Sequence, residues 1–319
     1  MEFAPHPGKL NECVINSDII GLIVDRVVTG TDDAPLRSSS SSRTIVVADT
    51  ISGKILDIVF DGNVSNYSSR IKLIECPLGS TLLPGFIDCH VHLTIATDDY
   101  QMDHLRLSSA QKSLRALKAA QQLLFAGFTT LRSAGDADKY FPTFAVAKSI
   151  EKGEFTGPRI VGAGHYISVT GGGGDLNFLS AENCVCCCPT ADGVIANGKD
   201  EMISAVRNEV KYGSDWIKIL VTGAFMSAST NPSDSPENTH FSVEELTAVV
   251  EEARRRKVPV MAHAHGAEGI ALAATAGRWC AHCIINYNTS LYIPVVFITT
   301  GTMLASSQQD VLPFLYCCL

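Results

Sequence analysis

From Thr81 to Ala276 the chain alternates short apolar or β-branched runs with longer stretches of helical period, and this alternation limits the possible folds more than any other feature. Ser108 to Ala126 places Leu114, Leu117, Leu123 and Leu124 on or near one stripe and reads as a helix. Phe128 to Arg132 reads as a strand, Phe141 to Glu151 as a helix, and Arg159 to Tyr166 as a strand ending in small residues. Lys199 to Tyr212 is a further helix, with Met202, Val206, Glu209 and Val210 in a roughly amphipathic pattern. Trp216 to Val221 is a continuous apolar run broken only by Lys218. Ser242-x-x-Glu245 is a capping box that opens a helix to Lys257. Val258 to Ala264 is the next strand, and Gly266 to Ala276 another short helix. Five successive βα units imply a parallel sheet with both faces covered, hence a (β/α) barrel or a doubly wound fold. Both keep their chemistry at the carboxyl ends of the strands. Histidines recur at several of those ends, which favours the barrel, where all the strand ends converge.

Before Thr81 the rhythm is different. Ile19 to Val24, Arg43 to Val47 and Lys54 to Val59 are β-branched runs separated by Ser52-Gly53 and Asp61-Gly62, which predicts a small antiparallel, sandwich-like β unit. The expected organisation is therefore a β domain over 1–80, a barrel over 81–277 and a divergent tail over 278–319. A hydrophobic content of 46% with 18% charged residues reads as globular, and a net charge of −8 speaks against a nucleic-acid partner. The first ten residues show no secretory signal, and a reducing, cytoplasmic setting is the default. The eleven cysteines include Cys184, Cys186, Cys187 and Cys188, which read as loop thiols rather than a metal cluster, because consecutive cysteines diverge.

Three motifs carry candidate chemistry. Thr81 to Leu93 holds His90 and His92 at i, i+2, a spacing that puts both imidazoles on one face of a strand. From the residues alone this is either the start of a divalent metal site or one solvent-facing histidine beside one that caps a loop. Lys218 interrupts an apolar strand. It either carries its amine to water along its stem or is a buried, reactive amine. His263 and His265 end the next strand, again at i, i+2. Two such pairs on two strands are hard to explain by packing. Gly171 to Gly174 lacks the Gly-Lys-Ser/Thr of a phosphate loop and reads as a loop shaping a pocket mouth.

Taken together, Leu-Leu-Pro-Gly-Phe-Ile-Asp-Cys-His-Val-His, Ala-Gly-Phe-Thr-Thr-Leu-Arg (126 to 132), Asp-Trp-Ile-Lys-Ile and Ala-His-Ala-His-Gly resemble the metal-dependent hydrolases of the amidohydrolase superfamily. The subgroup they resemble contains imidazolonepropionase and Xaa-Pro dipeptidases. The likeness runs from about Asp18 to Gly277. It implies a TIM-type (β/α) barrel and two divalent ions, zinc by the ligand chemistry. His90 and His92 would hold the first metal, a carboxylated Lys218 would bridge the two, and His263 would hold the second, with His265 nearer the substrate. The implied reaction is hydrolysis of a C–N bond in a small amide, cyclic amide or dipeptide through a metal-bound hydroxide. Where some relatives carry a histidine in the glycine run, this chain has Gly173.

The resemblance ends after Gly277. A strand ending in Glu-His-Gly is expected there. The chain instead reads Arg278-Trp279-Cys280-Ala281-His282-Cys283, so Cys283 takes the place of the second-metal histidine with His282 beside it. The aspartate expected on the eighth strand has no counterpart, since Asp310 lies in no matching context. Leu291 to Ala305 is apolar but short for a membrane span. These departures predict a barrel incomplete at its C-terminus, with an open sheet edge that implies marginal solubility or dependence on a partner, a second copy of the chain being one such partner. They also leave a second reading: a catalytically impaired, amidohydrolase-like chain with a binding role or none of its own.

Overall fold

The computed structural model describes residues 18–29, 43–60, 64, 71–95, 103, 106–136, 138, 140–175, 194–224 and 235–277, together with the backbone of 280–284 and 317–318. The serine run at 38–42, the cysteine run at 184–188, the apolar stretch 291–305 and Asp310 lie outside the described residues. The chain divides into two compact units, Met1–Phe86 with Thr300–Leu319, and Ile87–Thr299.

The first unit contains β1 (Ile19–Val24), β2 (Arg26–Val27), β3 (Thr44–Asp49), β4 (Lys54–Val59), β5 (Ile71–Glu75) and β6 (Thr81–Leu82). A four-stranded sheet has the order β4-β3-β1-β5. β1, β3 and β4 pair antiparallel, as the turn-separated runs predict, but β5 lies parallel to β1. The unit is therefore mixed. Val59 and Ile71 are further apart than a hairpin turn spans, and β5 runs in the same sense as β4 on the opposite edge of the sheet. Ile20, Leu22, Val24, Val46, Ala48 and Leu82 form its core.

The second unit is built from β7 (Phe86–Val91), α1 (Ser109–Phe125), β8 (Phe128–Asp136), α2 (Pro142–Glu151), β9 (Arg159–Ser168), β10 (Val194–Ile195), α3 (Lys199–Tyr212), β11 (Ile217–Leu220), α4 (Val243–Arg255), β12 (Val260–Ala264), α5 (Ala267–Ala276) and β13 (Cys280–Ile284). Its main sheet runs β7-β8-β9-β11-β12-β13, the order of the chain itself. β8 to β13 pair parallel along this path. A parallel half-barrel results, with Lys218 on its fourth strand. A last short strand, β14 (Cys317–Cys318), pairs with β6 of the first unit.

Alternation along the strands sorts the side chains. Ile217, Ile219, Val260, Ala262 and Ala264 join one core with Met202 and Val206 of α3 and Leu246, Val249 and Ala253 of α4. Each fully buried leucine, isoleucine or valine here contributes about 1.5–3 kcal/mol. The alternate residues, Lys218, Leu220, Met261 and His263, therefore face the other side of the sheet. On β7, Val91 packs with the helix-side cluster around Ala116, Ala120 and Leu131, as does Leu93 just beyond the strand, which leaves His90 and His92 on the same inner side as Lys218.

Helix boundaries follow the caps. Ser108 with Gln111 and Ser242 with Glu245 both form reciprocal capping boxes. Of the leucine stripe expected on α1, Leu117 and Leu123 pack against the core, and Leu114 is corrected by the structure. Leu114 is 68% exposed, and the buried face consists of Lys112, Ala116 and Ala120. Small residues admit the close approach of the sheet, and Lys112 is drawn inward by Asp138, its Nζ donating to Oδ2 at 2.7 Å.

Candidate metal centre

His90 lies near the end of the first strand of the half-barrel and His92 just beyond it. Their Nε2 atoms stand 3.3 Å apart, with both rings partly buried. His92 Nδ1 is 2.8 Å from the carbonyl oxygen of Gly135. A carbonyl can only accept, so Nδ1 carries the proton and Nε2 keeps its lone pair toward His90. That is the tautomer of a metal-ligating imidazole, with its outer nitrogen anchored by the backbone.

Lys218 is 1% exposed, between Tyr166 of β9 and Met261 of β12 in the sheet register. Its reach into the histidine cluster is read from the histidines themselves. Burial, then the Lys218 ammonium, lowers His92 to about 4. Burial, Lys218 and His265 lower His263 to about 3. His265 moves the same way through burial and Lys218. The imidazoles are thus held neutral, with lone pairs available, which is the state a divalent cation requires. The rings of His263 and His265 lie 4.1 Å apart, and His263 Nε2 is 3.2 Å from the Gly223 carbonyl. By the same argument Nε2 carries the proton and Nδ1 is bare.

The structure therefore brings four of the expected ligand or contact residues, His92, Lys218, His263 and His265, within electrostatic reach of one another, and His90 joins through His92. Among the described residues, no group of three or more His, Cys, Asp or Glu side chains stands in position to hold a metal ion. The donor set fits a cation in chemistry but lacks oxygen ligands. His282 and Cys283 lie on β13, where only the backbone is described, so both expectations fall outside the described side chains. The glycine run follows β9, where Gly174 N donates to Ser168 Oγ at 3.1 Å. Thr94 and Asp136 at the ends of β7 and β8, with Tyr166, whose ring centroid is 6.2 Å from that of His92, are neighbours that the motifs did not point to. Asp136 stands in no metal-ligand spacing, and Tyr166 resembles any core aromatic. The local signal for the former is Gly135-Asp136, a turn-forming pair at a strand end.

A second buried cluster lies on the helix side of β9. Glu209 of α3 accepts from His165 Nδ1 at 2.7 Å, from the His165 backbone N–H at 3.0 Å and from the Ser214 hydroxyl at 2.8 Å. His165 Nε2 donates to the Asp138 carbonyl. Burial opposes the imidazolium, yet the hydrogen bond and charge of Glu209 hold its pKa above the usual histidine value.

A family model described as the amidohydrolase family matches residues 81–285. Ochratoxinase from Aspergillus niger is 34% identical over 214 residues, 61% of this chain and 42% of that protein. Among solved structures, a Xaa-Pro dipeptidase with methionine bound in its active site superposes with a TM-score of 0.68 at 31% identity, covering 81% of this chain and 60% of that one. A prolidase complexed with N-methylphosphonate-L-proline superposes with a TM-score of 0.69 at 28% identity, covering 84% and 62%. The chain thus spans less than half of the curated relative and less than two thirds of these structures. No helix among the described residues is long and apolar enough to cross a membrane.

Proposed function

The chain belongs to the amidohydrolase family, and from that premise we propose that it is built to hydrolyse a C–N bond in a small amide or dipeptide at a binuclear zinc site. The observation that carries this reading is the gathering of two imidazole pairs, with His92 and His263 held neutral, around Lys218 on one face of the parallel half-barrel sheet. His90 and His92 would hold one ion, His263 the other, and Lys218 would lie between them. The carbamate that the Lys218 ammonium would form with carbon dioxide, with release of two protons, would add two oxygen donors and replace a positive charge by a negative one. Both changes supply what the imidazoles lack. When bound, the metals supply a nucleophilic hydroxide at neutral pH and polarise the scissile carbonyl.

The chain's own residues do the rest. The Gly135 and Gly223 carbonyls fix the tautomers of His92 and His263. His265, beside His263, contacts substrate. The strand-side walls exclude water from the Lys218 stem. The same reading divides the chain into a β domain at 1–80, the hydrolase barrel at 81–277 and a separate tail at 278–319.

Metal analysis of the purified full chain, with assays on Xaa-Pro dipeptides and N-acyl amino acids, tests the proposal. The expected result is bound zinc that His90→Ala removes, and turnover that falls by about three orders of magnitude in Lys218→Ala. Fewer than about 0.5 equivalents per chain, unchanged in His90→Ala, would sink it. Zinc bound without turnover would favour a binding role instead.

A further inference from the structure

The geometry points to Asp136 as a positioning residue that presets His92 for metal through the Gly135 carbonyl, with Thr94 as the hydroxyl that completes the clamp. This rests on the metal-site reading above. Asp136 is fully buried at the end of β8. It stands outside every ligand motif, and its neighbours explain its place. Thr94 Oγ1 donates to Asp136 Oδ1 at 2.8 Å. The Thr143 backbone N–H donates to Oδ2 at 3.2 Å. One carboxylate thus ties together the turn that follows β7, the end of β8 and the first turn of α2.

The residues on either side show what the tie holds. Thr94 is two residues beyond His92, and the turn between them is closed by Ile95 N donating to the His92 carbonyl at 3.2 Å. Gly135, immediately before Asp136, presents its carbonyl to His92 Nδ1 at 2.8 Å. Gly135 adopts φ +94°, and a Cβ there would lie 2.5 Å from the His165 carbonyl carbon. Gly135 therefore packs closely on the His165 backbone in a conformation that favours glycine, and from there its carbonyl reaches His92. The imidazole is held between two points of one loop pair: its own backbone through Thr94, and its Nδ1–H through Gly135. Loosening the clamp lets the ring choose its other tautomer, whose Nε2–H faces the position a cation would take.

Outer partners of metal-bound histidines typically change metal affinity by 10–100-fold when removed, and that is the effect expected here. The test compares the full chain with Asp136→Asn, Thr94→Val, Thr94→Ser and His90→Ala. Zinc affinity is read by competition with a chromophoric chelator, and the His92 tautomer by nitrogen-15 NMR of the metal-free protein. Asp136→Asn keeps the shape but turns one acceptor oxygen into a donor. Thr94→Val removes only the hydroxyl. Both should weaken zinc by about 10–100-fold, and Thr94→Ser, which restores the hydroxyl, should bind within about threefold of wild type. The metal-free wild type should show His92 protonated at Nδ1 alone, and Thr94→Val a mixture.

If wild type binds zinc and His90→Ala abolishes binding, but Asp136→Asn and Thr94→Val both bind like wild type, the clamp is refuted while the metal site stands. If wild type binds no zinc, the metal reading falls and the tautomer decides. An unchanged His92 tautomer in Thr94→Val refutes the clamp. Should Asp136→Asn fail to fold, Thr94→Val and its serine counterpart carry the test.

Discussion

His92 and His165 are both withdrawn from water on strands that flank β8, yet their surroundings move them in opposite directions. His92 meets the ammonium of Lys218 and a carbonyl, and falls to about 4. His165 meets the carboxylate of Glu209 and is raised. Burial alone would lower both. The charge of the facing group decides which histidine stays an uncommitted base and which is biased toward the imidazolium. The first environment has bare ring nitrogens and, among the described residues, no anion paired with them, so it is open to an external cation. The second is already compensated from within, and both its ring nitrogens are engaged.

The largest expected effect breaks the second environment. Glu209→Gln keeps the volume but sets an amide donor against the donors of His165 and Ser214, and strands an imidazole built to be charged. Breaking a buried pair in this way should cost about 3–5 kcal/mol, read as a lower urea midpoint, with zinc affinity unchanged. Equal loss of zinc affinity would show that the two histidine environments are one coupled system.

Acidity sharpens the same contrast. In metal-free protein His92 refuses a proton that the unfolded chain accepts between its ordinary pKa of 6.5 and about 4. Its contribution is complete above 6.5 and lost as pH falls through about 4. His92 keeps some solvent contact, which screens the charge, so the loss is set at about 2 kcal/mol. His165 carries the reverse sign. Its contribution is complete below 6.5 and lost as pH rises through its raised folded value. Urea denaturation across pH should therefore decline on both flanks. His92→Asn should make the acid flank shallower, with His263 and His265 keeping part of it, and His165→Asn should do the same on the alkaline side.

The smallest effect is expected at Glu252. Its side chain is 2% exposed but is held by Arg207, Arg255 and Arg256, which are 54%, 59% and 48% exposed. The Arg207 hydrogen bond, opposed by burial and aided by the other two arginines, lowers it to about 2. Its stabilisation is present above 4.5 and lost as pH falls through about 2. Because the arginines sit in water, Glu252→Gln should cost only about 1 kcal/mol, and added salt should shrink the difference.

Much of this was legible in the sequence because it is local. The βα rhythm, the capping box at Ser242 and Glu245, and the i, i+2 histidines each depend on residues a few positions apart. The placement of Lys218 on the fourth strand followed from counting those units. Other features depend on partners far along the chain. Glu209 looked like an ordinary member of an amphipathic helix until His165 was found opposite it, 44 residues away. Leu114 fits the stripe of α1, but the short side chains of Ala116 and Ala120 set the face that approaches the sheet. The parallel pairing of β5 with β1 follows from a crossover, which hydrophobic pattern does not encode. Asp136 was missed because an isolated aspartate has no spacing to recognise, and its role appears only when Thr94 and Gly135 are brought beside it.

The strict alternation of β11 and β12 makes chain length, rather than residue identity, the most guarded property of this sheet. Deleting or inserting one residue within Ile217–Leu220 would carry the Lys218 amine to the helix side, among Met202, Val206 and Leu246, and send an isoleucine toward the histidines. Substitutions there can be graded by size and charge, but a shift of frame cannot be partial. Libraries of single-residue indels in β11 or β12 should yield almost no folded variants.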